Sequence, residues 1–313
     1  MAFPIEKKLV VGISSNALFD LRKEDEIFEN EGLDSYRKYQ VEHKTDILET
    51  GVAYPFIKRF LRINDIYTKE QPVEVVLLSR NSPETGVRVF NSIREYGLNI
   101  TRAAFMSGSS AINYIPAFNI SLFLATNETD VKEAIKANLP AGRILQNEIH
   151  DNDTFELRVA FDFDGVIAND EAEKIYKEKG MKEYHKYEKE HSAEELGAGP
   201  LANFFTKLAF FQKLETKNRQ ENRDYKRILK TAIVTARNAP AHERAINTLN
   251  KWGVEVDEMF LLGGVDKSRI LEVMKPHLYF DDQMVHLDAT TVKNIPLVHI
   301  PFGVANEEKN KTF

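Results

Sequence analysis

The chain has 313 residues, of which 42% are hydrophobic and 29% charged, and its formal net charge is -6. That length suits one large domain or two medium ones, and the mildly acidic balance excludes a chain that as a whole clings to nucleic acid or another polyanion. It contains no cysteine, which excludes disulfides, thiolate catalysis and cysteine-held metals.

The opening residues, Met1 to Lys8, lack the apolar run of a secretory signal. No later stretch approaches the ~18 apolar residues of a membrane span, so a soluble cytoplasmic protein with no membrane partner is expected. The sequence leaves open whether the chain works alone or as a homo-oligomer.

In chain order, short apolar runs read as strands at 9–13, 73–78 and 120–124, then at 157–161, 231–234, 258–262, 277–280 and 296–300. Their near-continuous apolarity suits parallel strands covered on both faces. Amphipathic stretches lie between them, such as Ala241 to Trp252 with Gly253 at the C-terminal cap. Strands alternating with helices argue for an α/β fold with parallel sheets. The polar, aperiodic stretch Asn147 to Thr154 reads as a linker, so the expected domains are 1–150 and 151–313. Within the second, the charged helical region from about 170 to 230 is too long for a crossover and reads as a helical cap insertion.

The chemistry gathers at strand ends. The strand Leu157 to Phe161 runs into Asp162-Phe163-Asp164-Gly165. Carboxylates are costly to bury unpaired, and residues i and i+2 of a strand project to one side. The C-terminal ends of parallel strands are where α/β sheets place ligands. Thr235, trailed by Ala236 and Arg237, ends a second strand. Lys267 follows a third, and Asp281-Asp282 end a fourth. Adjacent carboxylates repel unless a cation neutralises them, so that pair reads as a metal site.

Strand-DxDGV, strand-Thr, Lys and strand-DD occur in the order that characterises the haloacid dehalogenase (HAD) superfamily, which Leu157 to about Gly303 resembles. The resemblance implies a HAD-like Rossmannoid sheet with a cap. It also implies Asp162 as nucleophile, Asp164 as general acid and base, and phosphate binding by Thr235, Ala236, Arg237 and Lys267. Mg²⁺ would be held by Asp162, Asp164, Asp281 and Asp282. Further segments resemble the cytosolic 5′-nucleotidases of type I: Ser14 to Asp20, Tyr39 to His43, Gly86 to Ile93, Gly199-Pro200-Leu201 and Phe280 to Met284. That narrower resemblance implies hydrolysis of nucleoside 5′-monophosphates, with AMP the first candidate. Phe163 departs from it, since a smaller residue is expected between the two aspartates. The alternatives are a sugar-phosphate phosphatase or phosphomutase built on the same motifs, and a nucleotide-sensing or scaffold protein. The aromatic residues of the cap region read mostly as its own small core, and Phe204 and Phe205, next to Gly199-Pro200-Leu201, are the candidates among them to meet the nucleoside. His185 and His191 read as solvent-facing and His286 as a cap of the DD loop.

The two halves also lie over each other. A gapless offset of 156 residues sets Val73–Thr126 on Leu229–Asp282, and aligning Leu9 separately with Leu157 adds the first strand. Every reactive position is vacant in the first half. Ser14 stands opposite Asp162, Asn16 opposite Asp164, Ser79 opposite Thr235, Ala111 opposite Lys267, and Ala125-Thr126 opposite Asp281-Asp282. A degenerate copy of the fold is expected there, with a regulatory nucleotide near Ser14, Asn16 and Ser79. The competing reading is two unrelated α/β domains of similar spacing.

Overall fold

The computed structural model describes residues 3–307. The chain divides into two compact units, Met1–Asp153 and Thr154–Phe313. In the first unit the strands are β1 (Leu9–Ile13), β2 (Val73–Ser79), β3 (Arg102–Phe105), β4 (Ile120–Ala125) and β5 (Ala141–Ile144). The helices are α1 (Ser15–Leu18), α2 (Arg22–Glu42), α3 (Tyr54–Ile66), α4 (Gly86–Glu95), α5 (Tyr114–Ala117) and α6 (Glu128–Lys136). The strands run parallel in the order β3-β2-β1-β4-β5. Strands β1, β2 and β4 are buried along their whole length, as parallel strands covered on both faces must be.

The second unit has β6 (Leu157–Phe161), β7 (Leu229–Thr235), β8 (Glu258–Leu261), β9 (Leu278–Asp281) and β10 (Leu297–His299). Its helices are α7 (Glu171–Glu190), α8 (Ala202–Glu221), α9 (His242–Lys251) and α10 (Ser268–Met274). Its strands are also parallel, in the order β8-β7-β6-β9-β10. A mixed α/β architecture with parallel strands is therefore what the sequence builds.

Registers inside the two sheets agree pair by pair. Leu9 faces Val73 in the first and Leu157 faces Leu229 in the second. Val76 faces Arg102 as Ala232 faces Glu258. Val11 faces Leu122 as Val159 faces Leu278, and Phe123 faces Ala141 as Tyr279 faces Leu297. All but the last pair, which continues the same offset beyond the overlay, join positions that the sequence overlay sets on each other. Helices α2 and α7 are each broken at one glycine in the left-handed region, Gly32 at φ 83° and Gly180 at φ 78°.

Two strands, β3 and β5, were not anticipated. Each has four residues, and their sequences, RAAF and AGRI, carry too few apolar side chains to form a run. The expected cap region contains two helices with different tasks. Helix α8 sinks Phe204 and Phe205 onto the sheet, and its Glu215 accepts the backbone N–H groups of Ile228 and Leu229 at 2.6 and 3.2 Å. Helix α7 carries Glu173 and Glu188 to the loops beyond the strand ends, and α8 begins beside the loop after β6, where Leu201 donates its N–H to the Val166 carbonyl at 2.9 Å.

Tight backbone passages fix where the chain turns after β1 and β6. A Cβ on Gly199 would lie 2.4 Å from the carbonyl oxygen of Ala168, and one on Gly51 would lie 2.8 Å from that of Ala17. Backbone cannot yield as a side chain can, so Gly51→Ala and Gly199→Ala should each destabilise by ~1–3 kcal/mol. Urea unfolding of each variant, with the slope unchanged, measures this.

Candidate active site

Strand β6 is apolar because it lies mid-sheet, and Asp162 extends it by donating its N–H to the carbonyl of Phe280 at 2.7 Å. The chain then turns at Gly165, at φ 74°, where a Cβ would come within 2.6 Å of the Asp282 carboxyl carbon. The glycine is thus required twice, for its dihedral and for the space that Asp282 occupies.

Lys267 enters from the start of α10 and is 3% exposed. Its Nζ lies 2.7 Å from Asp162 Oδ2 and 2.7 Å from Asp281 Oδ2. Burial opposes the ammonium charge, yet the two carboxylates hold the lysine above its ordinary pKa. Asp281 has further partners: the Tyr279 hydroxyl, the backbone N–H of Gln283 at 2.9 Å and Nδ1 of His286 at 3.2 Å. Burial works against its charge, but Lys267 and His286 keep its pKa well down.

Asp282 is different. It is 1% exposed and neither carboxylate oxygen has a hydrogen-bond partner. Burial, reinforced by Asp162 and Asp281, pushes its pKa up to about 10. Asp162, buried and near Asp281 and Asp164, is raised to about 7 despite Lys267. One ammonium group therefore compensates too few of the carboxylates collected here. Oxygen and nitrogen atoms of Asp162, Asp281 and His286 also converge within 4.8 Å of one another. Orphaned, hard oxygen donors fit a divalent cation such as Mg²⁺.

Asp164 is partnered differently. Arg237 grips it with two bonds of 2.7 Å, Nε to Oδ2 and Nη2 to Oδ1. The same guanidinium bonds Glu188 of α7 and stands 5.3 Å from the centre of the buried Phe163 ring. Phe163 thus provides the floor under Arg237, which accounts for its size. Glu188 also accepts from Arg244 Nη1 at 3.0 Å. The Arg237 guanidinium, expected at the phosphate, is bonded here to carboxylates. Thr235 is 1% exposed and its hydroxyl accepts the Arg237 N–H at 3.2 Å, while Ala236 between them is exposed.

Phe204 and Phe205 need correcting as nucleoside contacts. Both are fully buried, with Phe205 5.1 Å edge-on to Phe161 and Phe204 6.4 Å from Phe280. They seal the sheet beneath the site. His185 turns inward as well, with Nε2 3.1 Å from Asn238 Oδ1. Glu188, Arg244 and Tyr279 were missed as partners, while His286, expected as a cap of the DD loop, bonds the Asp281 carboxylate. Tyr279 could have been found, because residues i and i+2 of a strand share a face. Glu188 could not, since nothing distinguishes it from its many charged neighbours on α7.

The geometry defines a carboxylate-rich site organised by a buried lysine at parallel strand ends. A family model described as 5′-nucleotidase matches residues 1–307. The chain is also 35% identical over 288 residues to human cytosolic 5′-nucleotidase 1B, covering 90% of this chain and 47% of that protein. It spans about half the length of that curated relative. No solved structure matches the chain. The chain belongs to the 5′-nucleotidase family.

If Phe204 serves packing alone, Phe204→Ala should cost ~3–5 kcal/mol of stability while leaving KM for any substrate unchanged in the folded fraction. Denaturant unfolding and steady-state kinetics on one preparation check both parts.

Proposed function

We propose that this chain hydrolyses nucleoside 5′-monophosphates, AMP being the first candidate, through a phosphorylated Asp162. The observation that carries the reading is Lys267 held between Asp162 and Asp281 beside the unpartnered carboxylate of Asp282. In this reading Asp162 Oδ2 attacks phosphorus, the bond to the ester oxygen breaks, and Asp164 delivers a proton to the departing alkoxide. Asp164 then takes a proton from the water that cleaves the aspartyl phosphate, restoring Asp162. Lys267 offsets charge on the phosphoryl oxygens, and the Thr235 hydroxyl donates to one of them. Arg237 orients Asp164 for both proton transfers.

Mg²⁺ would be held by Asp162 and Asp282, with Asp281 beside them, and supplies charge screening between the carboxylate and the phosphate dianion. Asp282 takes the larger share of that role because its oxygens are the ones without partners.

The nucleoside contact is reassigned to α7. Tyr176 and Met181 are 46% and 51% exposed on a helix whose other side reaches the site. Tyr176 stands edge-on to Tyr184 at 6.1 Å, and Glu173 accepts from Gln283, the residue after Asp282, at 3.3 Å. Among the described residues no helix is long and apolar enough to cross a membrane. The similar human protein is named cytosolic, and a cytoplasmic location is the one we propose.

Phosphate release should require Mg²⁺, fall by several orders of magnitude in Asp162→Asn, and favour nucleoside monophosphates over sugar phosphates. Release from sugar phosphates alone would remove the nucleotide assignment. Mg²⁺ should raise the Tm of the wild type and not that of Asp282→Asn, because a ligand stabilises only the state that binds it. An equal rise in both would move the cation elsewhere. Tyr176→Ala should raise KM about tenfold, the scale of one lost base-stacking contact, with kcat little altered. An unchanged KM would take α7 out of nucleoside recognition.

A further inference from the structure

We propose that the first unit is a second copy of the catalytic fold whose cleft binds a nucleoside moiety without a metal and without turning it over. The inference rests on the nucleotide reading of the second unit's site, because it carries that site's ligand chemistry to its counterpart.

The likeness of the two units extends to side chains far from any chemistry. Tyr39 stacks on His43 with ring centres 3.9 Å apart, and Tyr187 on His191 at 4.0 Å. Arg88 Nε donates to the Asp46 carbonyl at 2.9 Å, and Arg244 Nε to that of Glu194 at 3.1 Å. Ser92 accepts the Leu48 N–H at 2.9 Å, and Thr248 accepts that of Leu196 at 3.0 Å. Asn91 donates to the Lys44 carbonyl as Asn247 does to that of Ser192. Unrelated domains have no reason to share such bonds at corresponding positions, on top of the shared strand order and registers.

The reactive groups, by contrast, have been exchanged for neutral ones. Asp162, Asp164, Lys267 and Asp281 correspond to Ser14, Asn16, Ala111 and Ala125. The Asp164, Glu188 and Arg237 network becomes three amides, Asn16, Gln40 and Asn81. Among the described residues, the metal-suited cluster of Asp162, Asp281 and His286 has no counterpart in the first unit.

The cleft nevertheless persists, with a volume of about 630 Å³, and Ser14, Asn16, Asn81, Ala111 and Ala125 are among the residues lining it. The buried Ser14 hydroxyl has no partner. Phe28 and Leu33, 50% and 46% exposed on α2, form a wall with Tyr36, whose ring meets Phe28 edge-on at 5.9 Å. This aromatic pair occupies the positions of Tyr176 and Tyr184. Arg80, also on the lining, is bound by Asp130 and the Gly108 carbonyl. A cleft with apolar rings on one side and hydroxyl and amide groups on the other suits a flat heterocycle joined to a sugar. The lining also carries Asp25 and Arg37, and with the lysine and the metal carboxylates gone the moiety itself carries the binding.

Titration calorimetry of the full-length Asp162→Asn chain in EDTA, with adenosine and separately with AMP, tests this. A saturable adenosine site is expected that persists in Tyr176→Ala, which removes the second unit's nucleoside contact, and that is weakened about tenfold by a further Phe28→Ala or Leu33→Ser. Both substituted side chains on α2 are exposed, so folding should survive. AMP binding tighter than adenosine but equally sensitive to Phe28→Ala supports the same site with a nucleotide as the source of the moiety. No binding of either ligand, or binding that is lost in Tyr176→Ala and kept in Phe28→Ala, overturns the proposal. Wild-type turnover with Mg²⁺, measured in parallel, reports on the second unit alone, so the two readings fail separately.

Discussion

Lys267 between Asp162 and Asp281 is the interaction on which the second unit's site depends. Several carboxylates meet at the ends of β6 and β9 in space that excludes water. Desolvation and mutual repulsion would each keep most of them protonated. One buried ammonium, 2.7 Å from each of two of them, keeps Asp281 ionised and eases the ionisation of Asp162, which is still raised to about 7. Removing it alone would leave buried charge uncompensated, which costs far more than the pair contributes as a whole. The remaining deficit falls on Asp282, pushed up to about 10 with both oxygens bare. That imbalance is tolerable in a site that expects a cation and hard to explain in one that does not.

The second organising feature is the chain of charges from α7 to Asp164. Glu188 is buried among Arg237 and Arg244, and Arg237 passes the constraint to Asp164 through a two-bond grip. Planar, two-point pairing fixes direction as well as distance. A helix that covers the strand ends is thereby tied to the residue assigned the proton transfers. Where Asn16, Gln40 and Asn81 replace the charged trio, the corresponding helix α2 remains and the charges do not.

Much of this was legible in the sequence because the constraints are local. Strands buried on both faces must be apolar along their length, which exposed β1, β2, β4, β6, β7 and β9. Acidic residues directly after such strands have few structural uses, which exposed Asp162 and the Asp281-Asp282 pair. The short strands β3 and β5 lacked an apolar run, though the strands at the same places in the second sheet, β8 and β10, were read correctly. Side-chain direction was the harder matter. Phe204 and Phe205 look like a stacking platform beside a glycine turn, yet α8 rolls them onto Phe161 and Phe280. Arg237 next to Thr235 looks like a phosphate ligand, and only the approach of Glu188 from a distant helix shows where its charge is used.

The account stands or falls on Asp162 as the atom that receives phosphate. The most direct measurement is rapid acid quenching of the wild-type chain during turnover of phosphorus-labelled AMP, followed by peptide mapping. The account predicts transient label on the peptide that contains Asp162, carried as an acyl phosphate that hydroxylamine releases. Turnover with no labelled protein at any time point, or with label on another residue, would contradict it.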